Sequence, residues 1–139
     1  MPALTNTESL SAREYLTRRL RLLEATKSAV ARFDDVDVIA TPTAMFTPQV
    51  VTEETAAEKG WARNRNLVHN LVAVNYLTLC AATLPVGLDR LGMPVGLQFI
   101  AKGGDDERLV AIACAAERVL GTPREILGVP PMCKASARG

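Results

Sequence analysis

Two nearly continuous apolar runs, Cys80 to Gly87 and Val95 to Ala101, are separated only by a short turn-forming stretch that includes Asp89-Arg90-Leu91-Gly92. So short a link suits an antiparallel hairpin, because parallel strands need a crossover of a dozen residues or more. Strands that are apolar on both sides belong in a sheet covered on both faces. The chain must therefore supply helices for those faces or obtain cover from elsewhere.

The flanking sequence does supply helices. Ser11 followed by Glu14 reads as a capping box, and Leu16, Leu20, Leu23, Val30 and Phe33 recur at helical steps beyond it. Arg13, Arg18, Arg19, Arg21 and Lys27 fill the intervening positions, so an amphipathic helix is predicted over 12–33. Asp34 and Asp35 end it, and Val36 to Ala40 is short and rich in β-branched residues, a strand. From Thr41 to Gly60 no period is sustained, which predicts a long loop with a turn of helix over Glu54 to Lys59. A second helix is expected from Trp61 to about Leu77, with Leu67, Leu71 and Val74 on one side. Asp105 or Asp106 caps a last helix that runs to Leu120 and stops at Gly121. Its apolar residues Leu109, Val110, Ile112, Ala113, Ala116, Val119 and Leu120 span a wide arc, as in a helix buried on more than one side.

The fold class that results is α/β, a partial mixed sheet of about three strands flanked by helices. Residues 1–121 form the domain portion, and residues 122–139 form a tail that is expected to be partly disordered. Three strands are few for a sheet, so its edge is expected to want a partner.

Composition narrows the function classes. With 139 residues and 48% of them hydrophobic, the chain has ample material for a core, which excludes general disorder. Sixteen Lys and Arg against 15 Asp and Glu leave a net charge of +1, no footprint for nucleic acid or an acidic membrane. The first residues lack the apolar region of a secretory signal, and no apolar run approaches a membrane span. A cytoplasmic location is expected. Three cysteines without CxxC spacing argue against a disulfide framework or zinc knuckle, and one histidine cannot build a His-rich metal site. No metal and no cofactor is expected.

A search for a self-contained catalytic group finds none. The serines Ser9, Ser11, Ser28 and Ser136 sit in no glycine-rich elbow, and His69 falls in a predicted helix without a triad partner. Cys80 and Cys114 lie among small apolar residues and read as core packing, with Cys133 in the tail. Gly103-Gly104-Asp105 reads as a loop-to-helix cap, since the acidic residues after it would repel phosphate. Asp34, Asp35 and Asp37 read as a turn.

Three ordered segments carry a resemblance. Ala12-Arg13-Glu14-Tyr15-Leu16 leads into Asp37-Val38-Ile39-Ala40-Thr41-Pro42-Thr43; Val74 to Gly87 contains Asn75 and ends in Leu84-Pro85-Val86-Gly87; and Gly92-Met93-Pro94-Val95-Gly96-Leu97-Gln98-Phe99-Ile100 has a regular apolar pattern. Together they resemble the C-terminal portion of the amidase signature family over roughly 12–121. Leu79-Cys80-Ala81, where many members carry glycine and proline around Thr78 and Cys80, is similar to an allophanate-hydrolase-like subgroup. The resemblance implies a C-terminal piece of the amidase signature fold, in an enzyme that hydrolyses amide C–N bonds with a Ser nucleophile, a cis-peptide Ser and a Lys. Those groups belong to a Gly-Ser-rich region upstream of the matched segments. No Gly-Ser-Ser run occurs here, and Lys27, Lys59, Lys102 and Lys134 lie in other contexts, so no catalytic residue carries over.

The resemblance also implies that the loop after the Asp37–Thr43 segment approaches the substrate. Thr43, Ala44, Met45 and Phe46, with Trp61, are the candidate substrate-binding residues; the alternative is that Met45 and Phe46 simply pack the loop down. Gly92, Pro94 and Gly96 are expected to shape the hairpin and let backbones approach closely. The expected partners are a catalytic amidase chain that completes a site for a small amide, or further copies of this chain. In the competing reading, the chain is a non-catalytic, self-associating or protein-binding module derived from an amidase.

Overall fold

A computed structural model describes residues 10–48 and 68–129. Helix α1 spans Ala12–Val30 and tightens into a 3₁₀ turn at Ala31–Phe33; strand β1 is Ile39–Pro42, helix α2 His69–Tyr76, strand β2 Cys80–Leu88 and strand β3 Pro94–Ala101. Helix α3, Asp106–Leu120, and a short helix α4, Pro123–Leu127, complete the order.

The sheet has three strands in the order β1-β3-β2. Both pairings are antiparallel, with Ala40 opposite Phe99 in one and Phe99 opposite Ala82 in the other. The α/β class and the strand number agree with the sequence, whereas a parallel component of a mixed sheet is not present among the described strands. The last strand in sequence is therefore the central one. Gln98, Ile100 and Ala101 at its end are buried, as central-strand residues are when both faces are covered. The register slips between Pro85 and Gly87, where proline cannot donate to the ladder.

Cover comes from the helices. Leu109 and Ala113, one turn apart on α3, are the buried residues of that helix, which packs on β2 and β3. Helix α2 packs on β2 and buries Val74. The exposed Arg108 of α3 pairs with Asp37 just before β1, tying the helix to the far edge strand. Among the described residues, no helix is long and apolar enough to cross a membrane.

Several local expectations shift. The first strand begins at Ile39 and runs through Pro42, two to three residues later than β-branching alone indicated. The Ser11 cap is made, its hydroxyl accepting from the Glu14 amide at 3.2 Å. Glu14, however, pairs with Arg18 one turn on, so the capping box is only half formed. A complete capping box lies in the segment read as tail: the Thr122 hydroxyl accepts from the Glu125 amide at 3.3 Å while Glu125 Oε2 accepts from the Thr122 amide at 2.7 Å. Proline at the first position of α4 suits that start, because its missing N–H is unneeded there. The predicted helical turn over Glu54 to Lys59 and the helix start at Trp61 lie outside the described residues.

Helix α3 is less enclosed than its wide apolar arc implied. Val110 is 58% and Val119 86% exposed, because only one face meets the sheet. Cys114 is likewise exposed, correcting its reading as a core residue, whereas Cys80 is half-buried and donates to the Lys102 carbonyl at 3.0 Å. Helix α1 buries none of its residues, and Leu16, Leu20 and Leu23 are all more than half exposed.

Candidate functional site

Beyond Pro42 the chain leaves β1 but stays in register with the sheet for one more residue, since the Thr43 amide donates to the Gly96 carbonyl at 2.9 Å. This bond sets the starting direction of the loop. Its residues then fold along the end of the sheet and enclose a cleft of about 440 Å³. Such a volume falls within the usual range of small-molecule sites. Thr43, Ala44, Met45 and Phe46, four of the candidate residues, line it together; Trp61 lies outside the described residues. Thr83 of β2 and Pro94, Val95 and Gly96 of β3 complete the opposite wall.

Gly96 makes the wall possible. A Cβ at this position would stand 2.8 Å from Thr43 Oγ1, closer than real contacts allow, and 3.0 Å from Thr83 Cγ2, tighter than most. Without one, the two threonines close over the strand, and Thr43 Oγ1 donates to Thr83 Oγ1 at 3.3 Å. The sequence drew attention to Gly96 as a place of close approach, but not to Thr83. Its signal was its position: in register with Gln98, it faces the same side as Thr41 and Gln98.

Behind this wall the sheet face is polar. Gln98, 2% exposed, donates through Nε2 to the Asn70 carbonyl at 3.4 Å, and Asn70 Nδ2 donates to the Pro42 carbonyl at 2.7 Å. These two bonds hold α2 against the strand end from which the cleft loop departs. Thr41 Oγ1, next to Gln98 in register, is buried without a hydrogen-bond partner among the described residues.

The loop is also fastened at Thr47 by Asp89. Its carboxylate accepts from the Thr47 hydroxyl at 2.5 Å and from the Leu91 and Met93 amides at 2.8 Å each. The Thr47 hydroxyl, then the Met93 amide, hold the Asp89 carboxyl below its ordinary pKa. One side chain thus closes the hairpin turn and pins the cleft loop to it. Gly92, at φ +77°, completes that turn.

The other chemistry-bearing residues lie elsewhere. His69 sits at the first position of α2 on an exposed turn. Burial, then the nearby Asp106 carboxylate, push the Cys80 thiol upward, which disfavours a thiolate nucleophile. Among the described residues, no group of three His, Cys, Asp or Glu is arranged to hold a metal. Among the described residues, the polar side chains of the cleft are the hydroxyls of Thr43, Thr47 and Thr83, and that of Thr47 is already held by Asp89. The cleft can thus orient a small molecule but offers no nucleophile and base.

The amidase family model matches residues 2–110, which include the cleft loop, the hairpin and the start of α3. The chain is 36% identical over 125 residues to 2-amino-5-chloromuconic acid deaminase of Comamonas testosteroni, covering 90% of this chain and 27% of that protein. It is 32% identical over 116 residues to a fatty acid amide hydrolase of Arabidopsis thaliana, covering 80% and 19%. With a glutamyl-tRNA(Gln) amidotransferase subunit of Helicobacter pylori strain G27 it shares 34% identity over 88 residues, covering 63% and 18%. The 139-residue chain thus spans between 18% and 27% of the length of these relatives. The match over most of its length, through the segments that build the cleft, shows that the chain belongs to the amidase family.

Proposed function

We infer that this chain forms one wall of the substrate cleft of an amide hydrolase, and that a catalytic segment carrying Ser and Lys completes the site. The observation that carries this reading is the cleft itself. It is built where the family-matched β1 end, β2 and β3 meet, and among the described residues it contains hydroxyls but no nucleophile–base pair. In the completed site a serine would attack the amide carbonyl, with the lysine acting through a bridging serine and backbone amides holding the oxyanion. The residues of this wall would then bind and orient the substrate and take no part in proton transfer. The uncovered leucines of α1 and the outward apolar residues of α3 support a partner surface of this kind.

The test is reconstitution. The chain is purified alone and together with the product of any adjacent upstream reading frame, and both are assayed for release of ammonia or amine from simple amides. Activity in the mixture and not in the chain alone is expected. Amide hydrolysis by the chain alone, or none by either preparation, would overturn the reading.

A further inference from the structure

The loop over the cleft is held at two points. At Thr43 the amide donates to the Gly96 carbonyl and the hydroxyl to that of Thr83. At Thr47 the hydroxyl donates to Asp89 Oδ2 at 2.5 Å. The intervening Ala44, Met45 and Phe46 make no hydrogen bond among the described residues. Pro42 and Pro48 have their φ fixed by the ring, so the freedom of this segment lies in residues 43–47.

The two attachments differ in kind. The first continues the sheet register and is indifferent to charge. The second falls on a carboxylate, and a hydrogen bond to an ionised acceptor is roughly twice as strong as one between neutral groups. The same carboxylate accepts from the Leu91 and Met93 amides through Oδ1. A proton gained by Asp89 therefore weakens all three bonds at once. The hairpin turn keeps two main-chain bonds, from the Asp89 amide to the Met93 carbonyl at 2.8 Å and from the Gly92 amide to the Asp89 carbonyl at 3.0 Å. Ala44 to Phe46 have no such reserve among the described residues.

The surroundings of Asp89 are otherwise uncharged. Residues 43–48 and strands β2 and β3 carry no charged side chain, the titratable Cys80 stands at the opposite end of β2, and Arg90 in the turn is exposed. Neutral donors, Thr47 first and then the Met93 amide, are what keep the carboxyl ionised.

We propose that Asp89 is a proton-sensitive latch on the cleft. Ionised, it holds Ala44 to Phe46 in place through Thr47; once that bond is lost, the segment swings about Thr43 and uncovers the wall formed by Pro94, Val95 and Gly96. The latch is a property of this chain and is independent of what the cleft binds.

The experiment measures backbone order parameters by NMR on the nitrogen-labelled 139-residue chain, in wild type, Thr47→Val and Thr47→Ser, at neutral pH and through an acid titration. At neutral pH, Ala44 to Phe46 are expected at about 0.85 in wild type and Thr47→Ser, and below about 0.6 in Thr47→Val. The Leu91 and Met93 amides keep their protection in Thr47→Val, because their bonds to Asp89 do not involve Thr47. On acidification, wild type should loosen at Ala44 to Phe46 while the β3 amides stay protected. Thr47→Val should show no further change in the loop, although protection at Leu91 and Met93 still falls. A loop that stays ordered in Thr47→Val, loosens equally in Thr47→Ser, or answers acid alike with and without the Thr47 hydroxyl would overturn the proposal. If Thr47→Val alters the thermal transition, the wild-type titration decides: a shared midpoint for loop and turn supports the latch, and separate midpoints refute it.

Discussion

Thr78, in the turn from α2 into β2, has φ +56°, a left-handed conformation that costs an ordinary L-residue about 1–2 kcal/mol. Its carbonyl faces Gly103, where a Cβ would lie 2.0 Å from that oxygen. The two positions therefore need different things: Thr78 gains from becoming glycine, and Gly103 cannot become anything else. Thr78→Gly is expected to raise stability by about 1 kcal/mol, net of glycine's greater entropy in the unfolded chain. Gly103→Ala should lower it by about 2–3 kcal/mol, because backbone must move. Urea unfolding of both variants checks the pair, and a loss of stability in Thr78→Gly would refute the strain argument. Asp89 makes a second prediction. Its carboxyl is depressed in the folded state, so the stability it contributes is present above the ordinary carboxylate range and is lost as pH falls through the folded value. The protection of the Leu91 and Met93 amides, measured against their intrinsic exchange rates at each pH, should fall as acidification passes through the depressed folded value, and Asp89→Asn should show the lower protection already at neutral pH.

Helices α1 and α4 each begin with a side-chain cap, yet their caps should matter differently. Ser11 caps a helix with no buried residue, so Ser11→Ala, worth about 1 kcal/mol locally, is expected to fray the first turn without moving the global transition. Thr122 caps a five-residue helix that packs against β2. Loss of its hydroxyl releases two reciprocal bonds, and Thr122→Ala should lower global stability by about 1 kcal/mol. Circular dichroism melts with residue-level amide exchange separate the two outcomes. Helices and strands are also what the sequence conveyed best. The hairpin, α1 and α3 were legible because apolar period and turn chemistry are local properties. The start of β1 was misplaced because its limits are set by pairing with β3, from Ile39 opposite Ile100 to Pro42 opposite Leu97. The Ser11 box suggested by the Ser-x-x-Glu spacing stays half made because Glu14 has a competing arginine one turn away.

Among the described residues, much apolar surface is exposed. Tyr15, Leu16, Leu20 and Leu23 on α1 and Val110 and Val119 on α3 are all at least half exposed. Uncovered surface of this kind, with two edge strands in the described sheet, favours association. The purified chain is expected to elute above its 14.9 kDa monomer mass, and Leu16→Glu with Leu20→Glu should shift it toward monomer. Light scattering after size exclusion reads both. A well-folded, strictly monomeric wild-type chain would contradict the expectation.

The hairpin, helices α1 and α3 and the family are readable from the amino-acid order alone, because helical period, the short hairpin turn and the Gly92–Ile100 pattern are written in neighbouring residues. The order also pointed to Thr43 through Phe46. What those residues face emerges only when the strands pair. Gly96 lies 53 residues from Thr43 and 13 from Thr83, and antiparallel register brings the three together. The same holds for Asp89, which reaches Thr47 across 42 residues. Such meetings depend on register, which no one stretch of the chain encodes; the missing Cβ of Gly96 is visible in the sequence, but the threonines it makes room for are known only once the strands pair.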